Sequence, residues 1–371
     1  MSNLNKDKSF DHDFKHEKFY TDLRKFGEQA YTSEDMLPRR YVYVLTNLCN
    51  LACDYCFQVR KKLPGAMTAD DWISFSKQLP PYARVTFTGG EPLVFKGFDE
   101  VFHEVATKFE CNMICNGLRL SEKKIDFLLS YEKFKVLSIS VDSVNNTVRK
   151  IANKNPKLWD LQWSHTEKMC NYFIKKRNEL GSKCKLDAKT VILDEYANEL
   201  LDIHKYCIEK LGFDTHVFTF MKGSPVQNAD YAFEFNEIFK QSNAYVYKNF
   251  DVIKKQLNLI KEYNLKKNIP AYLNPKVISL NNDEEIKENL DIMNEPKHDK
   301  NKFHACKWPW TSMHINADGA VFPCLSINAG NVKKNSLKEI YYSEQYRKFR
   351  QTIKNAGTVA SCNRCCYLKT K

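Results

Sequence analysis

The sequence predicts an α/β chain built on a parallel sheet, followed by a small cysteine-rich unit, and three observations carry that expectation. Short runs of β-branched and aromatic residues recur between residues 41 and 220. Each run is followed by a stretch with helical patterning, and cysteine, tryptophan and proline become dense from residue 304 onward. Strands alternating with helices imply parallel pairing, because each return to the sheet needs a long crossover. The loops after such strands gather at one end, where α/β proteins place their sites.

Taken in order, the runs are YVYVLT at 41–46, RVTFTGG at 84–90, CNMICNG at 111–117, VLSISVD at 136–142, CKLDAKTVI at 184–192 and THVFTF at 215–220. Between the first two lies TADDWISFSKQL, where Thr68 suits a helix N-cap and Asp70 and Asp71 suit the partial positive charge of a first turn. DEYANELLDIHKYCIEKLG closes on Gly212, a residue suited to a helix stop. Residues 1–40 read as an N-terminal extension and 41–222 as the main α/β unit. Residues 223–303 are rich in Asn and Lys and carry one amphipathic helix at 250–263, so they read as a helical connector that can also cover the site. Residues 304–371 form the second domain, with a hairpin signal, MHINADGAVFPC, turning at Asp318 and Gly319.

With 371 residues, 43% hydrophobic and 27% charged, the chain is long enough to bury a large core and a smaller one. No apolar run nears the roughly 20 residues that cross a bilayer, and the polar start lacks the apolar stretch of about 7 to 15 residues in a secretory signal. A cytoplasmic protein with no membrane partner is expected. The formal charge of +12 comes mainly from Lys spread along the chain, which describes a solvated surface better than a nucleic-acid face, so no nucleic-acid partner is expected. Thirteen cysteines in a reducing compartment point to metal binding rather than disulfides.

TNLCNLACDYCFQ follows the first strand and spaces Cys49, Cys53 and Cys56 as C-x3-C-x2-C. Three thiolates this close suit an iron-sulfur cluster. A structural zinc wants four protein ligands, and a fourth Cys or His is missing nearby. Three ligands on four irons leave one iron open to a substrate or cofactor. The spacing, with aromatic Tyr55 just before the third cysteine, resembles the signature of the radical S-adenosylmethionine (SAM) superfamily. The resemblance continues in GGEP at the end of the second strand (Gly89, Gly90, Glu91, Pro92). It extends to ICNG at the third, with Cys115 where the family's TNG has threonine, and to SISVDSVNNTVRK at the fourth, similar to SIDG…R.

That resemblance implies a partial (β/α)6 TIM-like barrel over residues 41–222. Cys49, Cys53 and Cys56 would hold a [4Fe-4S] cluster whose open iron is chelated by the amino and carboxylate groups of SAM, with Tyr55 near the adenine. The GGEP backbone and Glu91 would receive the methionine ammonium, the two glycines allowing close approach to a ligand. Asn116, with Gly117, would shape the floor, and Ser140, Asp142 and Arg149 would serve the ribose and carboxylate, with Ser143 where the family has glycine. The implied chemistry is one-electron cleavage of SAM to a 5′-deoxyadenosyl radical that takes a hydrogen atom from an unactivated substrate carbon. An electron donor such as flavodoxin or ferredoxin is implied as a partner.

Cys306, Gly319 and Cys324 fit the C-x(9–15)-G-x4-C opening of SPASM and twitch domains, and SCNRCC offers Cys362 and Cys365 to complete four ligands. Fewer cysteines remain than a full SPASM domain carries. The resemblance therefore implies the shorter twitch form, a small C-terminal α+β unit with one auxiliary [4Fe-4S] cluster. Zinc on the same thiolates is the alternative, and Cys366 is left over. Cys111, Cys170 and Cys207 read as core residues, whereas Cys115 and Cys184, on strands, are candidates to return a hydrogen atom to a substrate radical from the barrel lumen. His304 and His314 read as structural. The expected reaction is oxidation or bond formation on a peptide or a sugar-like small molecule, with the auxiliary cluster accepting the second electron. Redox-neutral epimerisation with a cysteine hydrogen donor, and RNA modification, are the alternatives.

Overall fold

The computed structural model describes residues 16–56, 63–143, 159–222, 245–281, 288–324 and 327–371. Ten strands form one sheet: β1 Arg40–Val44, β2 Arg84–Thr88, β3 Glu110–Cys115, β4 Phe134–Ser140, β5 Lys185–Ile192, β6 Thr215–Phe220, β7 Ala271–Asn274, β8 Ser312–Ile315, β9 Ala320–Phe322 and β10 Gly330–Asn331. Their order across the sheet is β10-β9-β8-β1-β2-β3-β4-β5-β6-β7. Pairing is parallel from β8 through β1 to β7 and antiparallel in the β8-β9-β10 ribbon. The six strands read from the sequence are β1 to β6, and the sheet continues past both of their edges. β7 comes from the stretch read as a helical connector. β8 comes from the C-terminal domain and lies beside β1, with Val42 opposite His314.

Residues paired across parallel strands share a face, and alternation sorts the two faces. Tyr43, Phe87 and Met113 turn outward. The Tyr43 ring lies 4.7 Å from Trp72 of α2 (Ala69–Ser76), and Phe87 lies 5.4 Å from Phe102 of α3 (Phe98–Lys108). Arg40, Thr86 and Asn112 turn inward and bond in series, Arg40 Nε donating to Thr86 Oγ1 at 3.2 Å and Thr86 Oγ1 to Asn112 Oδ1 at 2.9 Å. Ser138 and Thr215 donate to the two oxygens of inward Asp187 at 2.9 and 2.7 Å. The outer face is an aromatic core under the helices, and the inner face sets these polar groups among Val42, Ile114, Val136 and Val217.

Local rules explain the helices. Thr68 accepts from the Asp71 amide at 3.2 Å while the Asp71 carboxylate accepts from the Thr68 amide at 2.8 Å, a reciprocal cap that starts α2. The helix Phe250–Lys267 buries Phe250, Ile253, Leu257 and Ile260 at helical spacing. The segment after β5 is not one helix: a 3-10 turn over Asp194–Glu199, an α-helix over Leu200–Lys205 and a π turn over Tyr206–Lys210 precede Gly212. The helix His16–Ser33 packs on the C-terminal domain, its Tyr31 ring 4.7 Å from Trp310 and Glu34 paired with Lys354 at 2.7 Å. Among the described residues no helix is long and apolar enough to cross a membrane.

Candidate functional site

Four strands deliver the site at their C-terminal ends. The loop leaving β1 carries Cys49, Cys53 and Cys56 and lies directly on the turn leaving β2. Gly90 N donates to Thr46 O at 2.6 Å, and Glu91 N to Leu48 O at 2.9 Å. A Cβ at Gly89 would stand 2.6 Å from Thr46 O, and one at Gly90 would stand 2.3 Å from Leu48 O. The glycines are therefore needed for the approach of the cysteine loop's own backbone, a closer constraint than the ligand contact read from the sequence. Pro92 then opens a 3-10 turn capped by the Glu91 side chain, which accepts from Leu93 N at 3.2 Å.

Glu91 is 1% exposed, and its second oxygen accepts from Asn116 N at 2.8 Å, tying the β2 turn to the end of β3. Burial pushes its carboxyl up to about 7, partly offset by those two amide donors and the Arg119 charge. The Asn116 carboxamide donates to Asn50 Oδ1 at 2.8 Å and faces the Cys49 sulfur at 3.8 Å, and its own oxygen accepts from Leu118 N. Asn50 was missed in the sequence, although its place beside Cys49 within the cysteine motif marked it as a polar group at the site.

At the end of β4, Asp142 accepts a hydrogen bond from the Tyr55 hydroxyl and another from Val191 N at 3.2 Å. The cysteine loop is thus fastened to both β4 and β5. Burial raises the Asp142 carboxyl to about 6, with the Tyr55 and Val191 donors acting in the opposite sense. Burial also pushes the Cys53 thiol up to about 12, with the charges of Asp142 and Cys56 adding to it. Ser140 turns inward opposite Lys189. Arg149 lies outside the described residues.

The two cysteines expected in the lumen are elsewhere. Cys115 pairs with Ile139 on the outward face of the sheet and is buried in the helix layer. Cys184 precedes β5, at the opposite end of the strands from the cysteine loop. Strand parity is the reason: a period of two sends Asn112 and Ile114 inward and Cys115 outward. Neither thiol faces the lumen, so that expected placement is corrected, although Cys115 lies close enough to the Glu91 carboxylate for its charge to raise the thiol beyond the effect of burial.

In the C-terminal domain Gly319, at φ +84°, makes the β8-β9 turn as expected, and Cys306, Cys324, Cys362 and Cys365 form one group. Burial pushes the Cys306 thiol far up, and the charges of Cys362, Cys365 and Cys324 add to the effect. Cys362 is pushed up to about 12 by burial, with Cys324 and Cys365 adding. The Cys366 thiol donates to Cys365; that bond, with the Lys222 ammonium, favours a thiolate at Cys365, whereas the same bond and burial disfavour one at Cys366.

Both cysteine sets fit a [4Fe-4S] cluster. Four neighbouring thiols, with Cys306, Cys362 and Cys365 desolvated, would repel as thiolates unless metal offset their charge, and the Cys49 sulfur already faces two donors, Leu51 N at 3.4 Å and Asn116 Nδ2. Among the described residues no three Cys, His, Asp or Glu side chains converge on a single ion. A cluster of four irons holds its ligands apart at separate corners, so it does not need that convergence.

A family model described as the Radical SAM superfamily matches residues 43–179, and one described as an iron-sulfur cluster-binding domain, SPASM, matches residues 306–366. The sporulation killing factor maturation protein SkfB of Bacillus subtilis (strain 168) is 32% identical over 118 residues, 31% of this chain and 28% of SkfB, so the match spans under a third of that relative. A tungsten-containing aldehyde ferredoxin oxidoreductase cofactor-modifying protein of Pyrococcus furiosus is 21% identical over 361 residues, 88% of this chain and 87% of its own length. The fold is similar to that of Streptococcus suis SuiB in its crystal structure bound to precursor peptide SuiA, with a TM-score of 0.60 and 17% identity, covering 94% of this chain and 74% of SuiB. Domains of these two kinds carry a SAM-binding [4Fe-4S] cluster, SAM itself and an auxiliary [4Fe-4S] cluster. The chain thus carries a radical SAM domain over residues 43–179 and an iron-sulfur cluster-binding domain of the SPASM kind over residues 306–366.

Proposed function

We propose that this protein is an oxidoreductase that modifies a peptide, taking a hydrogen atom from an unactivated carbon and completing an oxidation or a bond formation there. Cys49, Cys53 and Cys56 hold the cluster that binds SAM, and Cys306, Cys324, Cys362 and Cys365 hold the auxiliary one. When bound and reduced, the first cluster supplies the electron that cleaves SAM to methionine and the 5′-deoxyadenosyl radical. The chain's own residues orient and exclude. Glu91, dry and close to neutral-pH titration, receives the methionine ammonium. Asp142 fixes the Tyr55 ring for the adenine, and Ser140 and Arg149 serve the ribose and carboxylate. A flavodoxin or ferredoxin in the cytoplasm is the proposed donor. The segments 1–40, 41–222, 223–303 and 304–371 are kept as the working division of the chain, the last three contributing strands to one sheet.

The carrying observation is that Cys306, Cys324, Cys362 and Cys365 lie close enough to act on one another's charge, in a chain that also carries a three-thiol loop. Four ligands leave no iron open, which suits that cluster to electron transfer rather than substrate chelation, and a second one-electron site is what a two-electron oxidation needs. Support for a peptide comes from SkfB, named for maturation of a killing factor, and from SuiB, crystallised with a precursor peptide. The Pyrococcus relative, named for modifying a cofactor, supports a small-molecule substrate as the second reading. Anaerobic turnover with SAM, a reductant and a library of synthetic peptides is the test. The expected product is a peptide lighter by two hydrogens with matching 5′-deoxyadenosine. Unchanged mass with solvent deuterium uptake would make it an epimerase, and conversion of a small metabolite alone would sink the peptide reading.

A further inference from the structure

β8, the strand that the C-terminal domain adds beside β1, turns one row of side chains inward: Ser312, His314 and, continuing the alternation, Asn316. Ser312 lies opposite Arg40 and His314 opposite Val42. The three are 0%, 6% and 1% exposed. The Ser312 hydroxyl, both ring nitrogens of His314 and both ends of the Asn316 carboxamide have no hydrogen-bond partner among the described residues. Each buried, unpaired polar group costs about 1–3 kcal/mol; others are scattered through this structure, such as Trp72 Nε1 and the Tyr341 hydroxyl, whereas here five such atoms stand together on one strand row.

The neighbouring charges are already engaged. Arg40 donates to Thr86 and, at 2.6 Å, to the Tyr367 hydroxyl, and it lies over the rings of Trp308 and Tyr367. Lys189 pairs with Asp187 at 2.9 Å. Burial, with the Arg40 charge adding, holds the His314 imidazole down to about 3, so it is neutral. The hydrogen-bonding capacity left open on this row is therefore uncharged, and each side chain can both donate and accept.

We propose that Ser312, His314 and Asn316 form a recognition wall for an amide group of the substrate, a peptide bond or a carboxamide. An amide presents an acceptor and a donor side by side and matches such a row. A carboxylate or phosphate presents acceptors alone and needs a free cation, which the row lacks. β1 carries the cysteine loop at its C-terminal end, so the wall runs from the lumen toward the place where the radical is made. This inference rests on the peptide reading above and names the residues that would read the peptide.

Reconstituted, anaerobic holo-protein is compared with His314→Leu, Asn316→Leu and His314→Gln. Because the native groups are unpaired without substrate, the leucine variants should melt a few degrees higher. The probe N-acetylalanine N′-methylamide, followed by saturation-transfer NMR, should bind the native protein better than acetate does, and about tenfold more weakly in the leucine variants. His314→Gln keeps a donor and an acceptor and should retain binding. Leucine variants that melt lower with unchanged iron, undiminished probe binding by those variants, or a native preference for acetate would each overturn the wall. A wrong peptide reading shows differently: the probe discriminates as stated, yet no peptide is converted.

Discussion

Gly90 and Glu91 show how much of the site depends on single atoms. A Cβ at Gly90 would overlap Leu48 O, a backbone atom that cannot swing aside. Gly90→Ala should therefore displace the cysteine loop and lower iron content from about eight to about four per chain, counted with sulfide after anaerobic reconstitution; full iron would mean that the loop has room. For Glu91, the folded protein holds its proton up to about 7, against an unperturbed 4.5. The native state then binds more protons than the unfolded chain between those values, so its contribution is present below pH 4.5 and falls as pH rises to 7, by about 3 kcal/mol. Unfolding of SAM-free protein across that window should show the slope, and Glu91→Gln should remove it. A native slope no steeper than the variant's would contradict this. The motif residues were legible here because their types are chemically narrow. The hydrogen bonds of Asn116 to Asn50 and of Tyr55 to Asp142 were not, because partners 66 and 87 positions apart leave no local trace.

Helices and strands were legible wherever the determinant was local. Thr68 and Asp71 form the reciprocal cap at the start of α2, and Thr68→Ala should cost about 1 kcal/mol, read as a lowered melting temperature against Lys255→Ala as the surface control. Loss no greater than the control's would remove the cap's role. Where the determinant was distant, the sequence was silent. The four residues AYLN become β7 only because β6 lies beside them, and SMHI becomes an inner strand of the barrel rather than half of an isolated hairpin because β1 offers its edge. The helix expected after β5 breaks instead, since Asp194 at its start accepts from the amides of Lys248 and Asn249 and from the Tyr245 hydroxyl, fixing that turn to a later segment.

At the scale of the whole molecule, the C-terminal domain is part of the barrel wall. A chain ending at Phe303 would leave β1 with an open edge and uncover Tyr41, which is fully buried and lies near Tyr341 and Tyr346 of the C-terminal domain. Unpaired strand edges invite association, so that chain should be aggregated on size exclusion and should not hold the first cluster. A monomer with about four irons would show instead that residues up to 303 fold alone. Most of the charge lies on the surface, although Glu91, Asp187, Arg350 and Arg364 are buried; the inner cations Arg40 and Lys189 are engaged by Tyr367, Thr86 and Asp187.

The sequence by itself determined the two domain kinds, both cysteine sets and the six central strands, because ligand spacing, turn chemistry and strand alternation are all written within a few residues. Tertiary structure alone decided which face each residue sees and who its distant partners are. Strand parity turns Cys115 away from the lumen, position before β5 leaves Cys184 at the far end of the strands, and the closure of β8 onto β1 carries His314, which reads as structural in the sequence, into the barrel interior with its hydrogen bonds unused.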